Sequence, residues 1–180
     1  MKRVVNLVCC LSLVALPALA QKKAAGAAEK GAGAAMTDQQ FVDFAAQTDM
    51  VEANLGQLAG TAGDSQAVKD YGQMLTTDHT ADYQQLSTIA KQANLTVPSA
   101  IDDEHNKMIG PFQKLKGAAF DKKYAAEMVA GHTKAIAIYK KEASDAQSAD
   151  LKSYAQQTLT ALQKHLDEAK NLGKAKAAAK

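Results

Sequence analysis

The chain has 180 residues, of which 47% are hydrophobic but only 5% aromatic, with no Trp. That length suits one domain and disfavours separate cofactor and substrate lobes, while an Ala-rich apolar fraction favours close-packed helices over strands of β-branched and aromatic residues. The formal charge of +2 resides in Lys2 and Arg3, because residues 1–20 contain no acid; the balanced remainder predicts neither nucleic-acid nor anionic-membrane binding.

Lys2-Arg3, the apolar run Val4 to Leu16, Pro17 and Ala18-Leu19-Ala20 follow the charged, apolar and small-residue regions of a secretory signal peptide, with cleavage expected after Ala20. An uncleaved anchor fits less well, since the run is short for a span of ~20 residues. A lipoprotein signal also fits less well, because only Val8 or Cys9 precedes Cys9-Cys10. Both cysteines fall in this segment, so the mature chain would carry no disulfide and no thiolate. No membrane span is expected after cleavage. Gln21 to Met36 reads as a flexible Ala/Gly/Lys tether and Gly173 to Lys180 as an Ala/Lys tail, leaving residues 37–172 as the folded domain.

Thr37-Asp38-Gln39-Gln40 has the form of a capping box, so helix one should begin there and carry Phe41, Phe44, Val51, Leu55 and Leu58 to Gly60. Asp64-Ser65 recaps the chain, and helix two presents Val68, Tyr71, Leu75, Leu86 and Ile89 before ending near Asn94. A short helix is predicted from Ser99, with Asp102 at its third position, to Ile109, interrupted by Gly110-Pro111. Helix three then runs from about Gly117 to about Asp145, with Phe120, Tyr124, Met128, Ala135 and Ile138 inward. Helix four runs from Ser148 to Leu172, with Leu151, Leu159, Leu162, Leu166 and Leu172 inward. All three prolines lie outside these four long helices.

Two tight turns imply two antiparallel hairpins. The long connection between Asn94 and Lys116, whose short helix advances about 1.5 Å per residue, can travel along the bundle and leave helices two and three parallel. The expected fold class is therefore all-α, a ferritin-like four-helix bundle with a long crossover. The simpler up-down bundle is the alternative.

Several strings in this frame occur in a consistent order: Glu52-Ala53-Asn54-Leu55-Gly56, Met74, Asp78-His79, Gly117-Ala118-Ala119-Phe120-Asp121 with Tyr124, Met128-Val129 with His132, and His165-Leu166. Together they resemble an exported bacterial ferritin-like family of unknown function, often labelled "putative outer membrane protein". The resemblance spans roughly Asp38 to Leu172. It implies an envelope location and a four-helix bundle, and no established reaction.

His79, His132 and His165 fall one per helix at similar depth, and helical spacing puts His79 and His165 on the apolar stripe with His132 near it. With Glu52 as a carboxylate from the remaining helix, they would supply the nitrogen-rich donor set that zinc, copper or iron favours. Asp82 and Glu168, each three residues after a histidine, are the expected orienting partners. Asp78 is expected to face outward, because neighbours on a helix diverge by ~100°. The usual two-iron pattern needs Glu-x-x-His on two helices, whereas Thr76, Val129 and Leu162 stand three before the histidines. Met50, Met74, Met108 and Met128 read as core filler. No phosphate-binding glycine loop or nucleophile elbow occurs.

Two function classes remain. One is a non-catalytic envelope protein acting through binding or stress protection, its histidines being polar core residues or pH sensors. The other is a metal-binding or redox bundle using the histidines. A homo-oligomer or an envelope partner is left open.

Overall fold

A computed structural model describes residues 36–178; the expected signal peptide lies outside the described residues, as does all of the expected tether but Met36. Five helices follow one another: α1 (Asp38–Ala62), α2 (Gln66–Gln92), α3 (Asp103–Gln113), α4 (Gly117–Asp145) and α5 (Ala149–Ala178). The capping box at Thr37 forms, with the Gln40 amide donating to the Thr37 hydroxyl and the Thr37 amide to Gln40 Oε1. Ser65 caps α2 by accepting from Val68 N, and Asn94 adopts the left-handed conformation (φ 56°) that ends it.

The short connecting helix departs from its expected bounds. Asp102, not Ser99, caps it by accepting from His105 N, and it runs through Gly110-Pro111 to Gln113. Pro111 lies in the last turn, so the bond it cannot donate is lost only two residues before the helix ends, and Phe112 beyond it is buried as an anchor.

α1 with α2 and α4 with α5 form antiparallel hairpins; α2 packs against α5, and α1 against α4. Tyr71 meets Tyr124 and His79 meets His132, so α2 and α4 run parallel across the bundle. The crossover is pinned along its side: Gln47 donates to Ala100 O and accepts from Asp102 N, while the Tyr83 hydroxyl donates to Pro98 O. Close approach of α1 and α2 rests on two glycines, since a Cβ on Gly56 would stand 2.5 Å from Gly72 O.

The two hairpins repeat each other at one constant sequence offset. Asp38 of α1 accepts from Gln147 N and Ser148 N at the α4–α5 turn; its counterpart Asp121 of α4 accepts from Asp64 N and Ser65 N at the α1–α2 turn. Ser65 and Ser148 cap equivalent helices, and Phe41 and Tyr124 are equivalent buried rings. Tyr71 donates to the backbone of His165, while its counterpart Tyr154 donates to Asp82, the residue equivalent to His165. An approximate two-fold axis therefore passes through the middle of the bundle. There the two apolar clusters, one around Phe41, Tyr139 and Tyr154 and the other around Leu75, Phe120 and Tyr124, leave room for polar side chains.

Candidate metal centre

Eight polar or charged residues are buried among the described ones, and six of them (Asp49, Glu52, His79, His132, His165 and Gln47) come from the central parts of the four long helices. Burial of such groups is costly unless each is partnered. The three histidines are 1–3% exposed. Their ring centroids lie 5.3 to 5.9 Å apart, and each offers a nitrogen within 4.8 Å of those of the other two.

Each imidazole is held by one nitrogen and leaves the other without a partner. His132 Nδ1–H donates to the Met128 carbonyl (2.9 Å), which can only accept, so Nε2 carries the free lone pair. His79 Nδ1 bonds Asp49 Oδ1 (2.9 Å), leaving its Nε2 unpartnered. His165 Nε2 bonds Asp78 Oδ2 (3.0 Å), leaving its Nδ1 unpartnered. Outer acceptors of this type fix the tautomer and raise ligand basicity in metal-binding histidines. Imidazole nitrogens about 2.0–2.1 Å from one ion sit roughly 3.5 Å apart, so rings already within 4.8 Å nitrogen to nitrogen are near enough to share a centre after a small adjustment.

The orienting partners differ from those expected by spacing along a single helix. Asp82 does not bond His79; it accepts from the Tyr154 hydroxyl (2.6 Å) and Thr158 Oγ1 (3.2 Å) on α5. Glu168 does not reach His165; it is 43% exposed and faces Lys164 one turn back. Asp78, expected outward, is only half-exposed and reaches across to α5, and Asp49 was not foreseen at all. The reason is geometric: an inward side chain in a bundle meets the facing helix before it meets a residue on its own. Met108, expected in the core, is 45% exposed on α3.

Glu52 is buried beside the cluster on α1 with Oε2 unpartnered, but it is not among the three residues whose donor atoms converge. Burial pushes its pKa up to about 7, against the lowering effect of His79. Burial likewise raises Asp49, with Asp82 adding like-charge repulsion. The histidines move the opposite way. Burial and the neighbouring imidazoles depress His132 to about 3, and burial lowers His79 and His165. Both shifts have burial as their first cause, which disfavours the charged form of either group and keeps the imidazoles neutral, the form in which they bind metals.

No helix among the described residues is long and apolar enough to cross a membrane. No curated protein matches the chain. Among solved structures it is similar to CopM in the Cu(II)-bound form, 13% identical with a TM-score of 0.66, covering 78% of this chain and 98% of that one. CopM in the Cu(I)-bound form is 12% identical with a TM-score of 0.63, and the Ag-bound form 13% identical with a TM-score of 0.62; each covers 76% of this chain and 94% of the other. At such identity the likeness is one of fold. The family model described as a domain of unknown function, DUF4142, matches residues 20–172, and the chain belongs to that family.

Proposed function

We propose that this DUF4142 chain is a transition-metal-binding bundle of the cell envelope. In this reading a single ion is held by Nε2 of His79, Nε2 of His132 and Nδ1 of His165, with Glu52 as the available fourth donor. The observation that carries the reading is three buried histidines that each keep one unpartnered ring nitrogen and lie close enough to bring a nitrogen apiece within 4.8 Å of one another. Left without a ligand, each such atom forfeits roughly 1–3 kcal/mol of desolvation free energy. Shared coordination removes all three penalties at once.

Copper is the ion that fits best. Imidazole donors suit copper, zinc and iron, and copper binds most tightly along the divalent series. The similar fold of CopM is known in forms bound to copper and to silver. The role is binding and protection, not turnover, because a centre enclosed in helices holds an ion away from other reactants. Export is supported by the signal pattern of residues 1–20.

The test is the metal content of protein purified without an affinity tag and titrated with copper, zinc and iron. One copper per chain is expected, and the His79→Ala, His165→Ala double variant should bind none. At free copper one hundred times Kd, the wild-type protein should gain about 2.7 kcal/mol of stability. Absence of uptake, or equal uptake by the double variant, would overturn the assignment and leave the histidines as polar core residues.

A further inference from the structure

We propose that a cleft between α1 and α2 is the passage by which the ion reaches the three histidines, with Asp49 at its inner end. The inference rests on the histidines being ligands, and it addresses what such a buried centre requires: a way in. The cleft has a volume of about 300 Å³. Its rim carries the exposed Thr80, its walls Met50, Ala53 and Tyr83, and its deepest lining residues are Asp49 and His79. Of the three histidines, only His79 borders it.

Two independent observations connect the cleft to ion passage. First, Asp49 is 2% exposed and holds His79 Nδ1 with Oδ1, yet its Oδ2 has no hydrogen-bond partner. A buried carboxyl oxygen with spare lone pairs at the end of a cleft is an oxygen donor that an entering cation meets on its way in, and its group is already bonded to the ring that would receive the ion. The Met50 thioether on the wall adds a soft donor of the kind that favours monovalent copper. Second, the internal repeat supplies a comparison within one molecule. The residue equivalent to Ala53 in the second hairpin is Ile136, which is buried in the core, and the residue equivalent to Asp49 is the ligand candidate His132. The first hairpin thus combines a small wall residue with an acid at the very positions where the second has bulk and a ligand. A volume of this size also accommodates roughly ten waters at liquid density, enough for an ion to enter still partly hydrated.

The experiment loads the protein with Cu(I) and follows its release to an excess of a chromophoric chelator, alongside the equilibrium Kd. Ala53→Ile, which copies the second hairpin, and Thr80→Trp, which caps the rim from an exposed position, should each slow release at least tenfold while leaving Kd unchanged. Gln163→Trp, at the place equivalent to Thr80 in the second hairpin, should leave the rate as it is. Histidine-dependent binding whose release rate is unchanged in both blocked variants overturns the passage and leaves the metal centre standing. A wild-type protein that takes up no Cu(I), Cu(II) or Ag(I) overturns both. Should Ala53→Ile fail to fold, Thr80→Trp decides alone.

Discussion

The charge economy of the bundle centre can be measured through His132 in metal-free protein. Its folded-state pKa lies near 3 against an ordinary value of 6.5, because burial opposes the charged form and the imidazoles of His79 and His165 add repulsion. The unfolded chain therefore binds the proton more readily than the folded one over this whole interval. Stability contributed by the neutral ring is complete above pH 6.5 and is lost progressively as pH falls toward 3. Each pH unit costs about 1.4 kcal/mol, so acidification from 6.5 to 4 should remove about 3 kcal/mol through this residue alone. Against a total of about 5–15 kcal/mol for a domain, that is a large share. Glu52 acts in the opposite sense: its folded pKa is raised to about 7, so its contribution is complete below 4.5 and is lost as pH climbs through 7. Urea unfolding of wild type and His132→Leu at a series of pH values isolates the histidine, since the Glu52 contribution is common to both and cancels in the difference. The variant should lose less stability than wild type on acidification, by about 3 kcal/mol between pH 6.5 and 4. Parallel stability profiles would show that the ring is not held neutral by its surroundings, and burial would no longer account for an imidazole kept in its metal-binding form.

Asp49→Asn and Asp78→Ala should each weaken copper binding about 10- to 100-fold without changing stoichiometry, whereas Glu168→Ala should leave the affinity as it is; isothermal titration separates these outcomes. Gly56→Ala should destabilise the bundle by roughly 1–3 kcal/mol in thermal unfolding, because its Cβ would meet Gly72 O at 2.5 Å and Thr76 Oγ1 at 2.6 Å, while Gly60→Ala, with nothing within 4 Å, should be neutral or stabilising. Protein recovered from the native envelope should begin at Gln21, and amino-terminal sequencing that finds Met1 retained would contradict export by a cleaved signal.

Much of the architecture was legible because its boundaries are set by local chemistry. The Thr37 capping box, the Ser65 cap and the span Gly117 to Asp145 each depend on residues adjacent in sequence, and all three are found as read. The parallel run of α2 and α4 followed from the length of one connection. The start of α3 was misplaced because two capping residues, Ser99 and Asp102, competed, and only the latter's carboxylate reaches an amide of the next turn. At the centre, the depth of the three histidines was countable along the helices, but their hydrogen-bond partners were not. Asp49 and Asp78 belong to helices other than those of the rings they hold, and no periodicity along one helix encodes which residue faces it from another. The cleft was equally hidden, since it depends on a small residue, Ala53, lying opposite Thr80 and Tyr83.

The internal repeat explains why the polar centre lies where it does. Caps and turn residues agree between the two hairpins, Asp38 with Asp121 and Ser65 with Ser148, because both ends of the bundle face the same problem of unsatisfied backbone groups. Identical ionisable groups gathered near the two-fold axis would bury like charges against each other. At these positions the halves diverge: Asp49 corresponds to His132, Glu52 to Ala135, His79 to Leu162 and Asp82 to His165. Acids fall mainly in the first hairpin and two of the three imidazoles in the second, and Asp78 of the one bonds His165 of the other. A centre assembled in this way requires both hairpins, with His79 from one and His132 and His165 from the other, and is complete only when the bundle is folded.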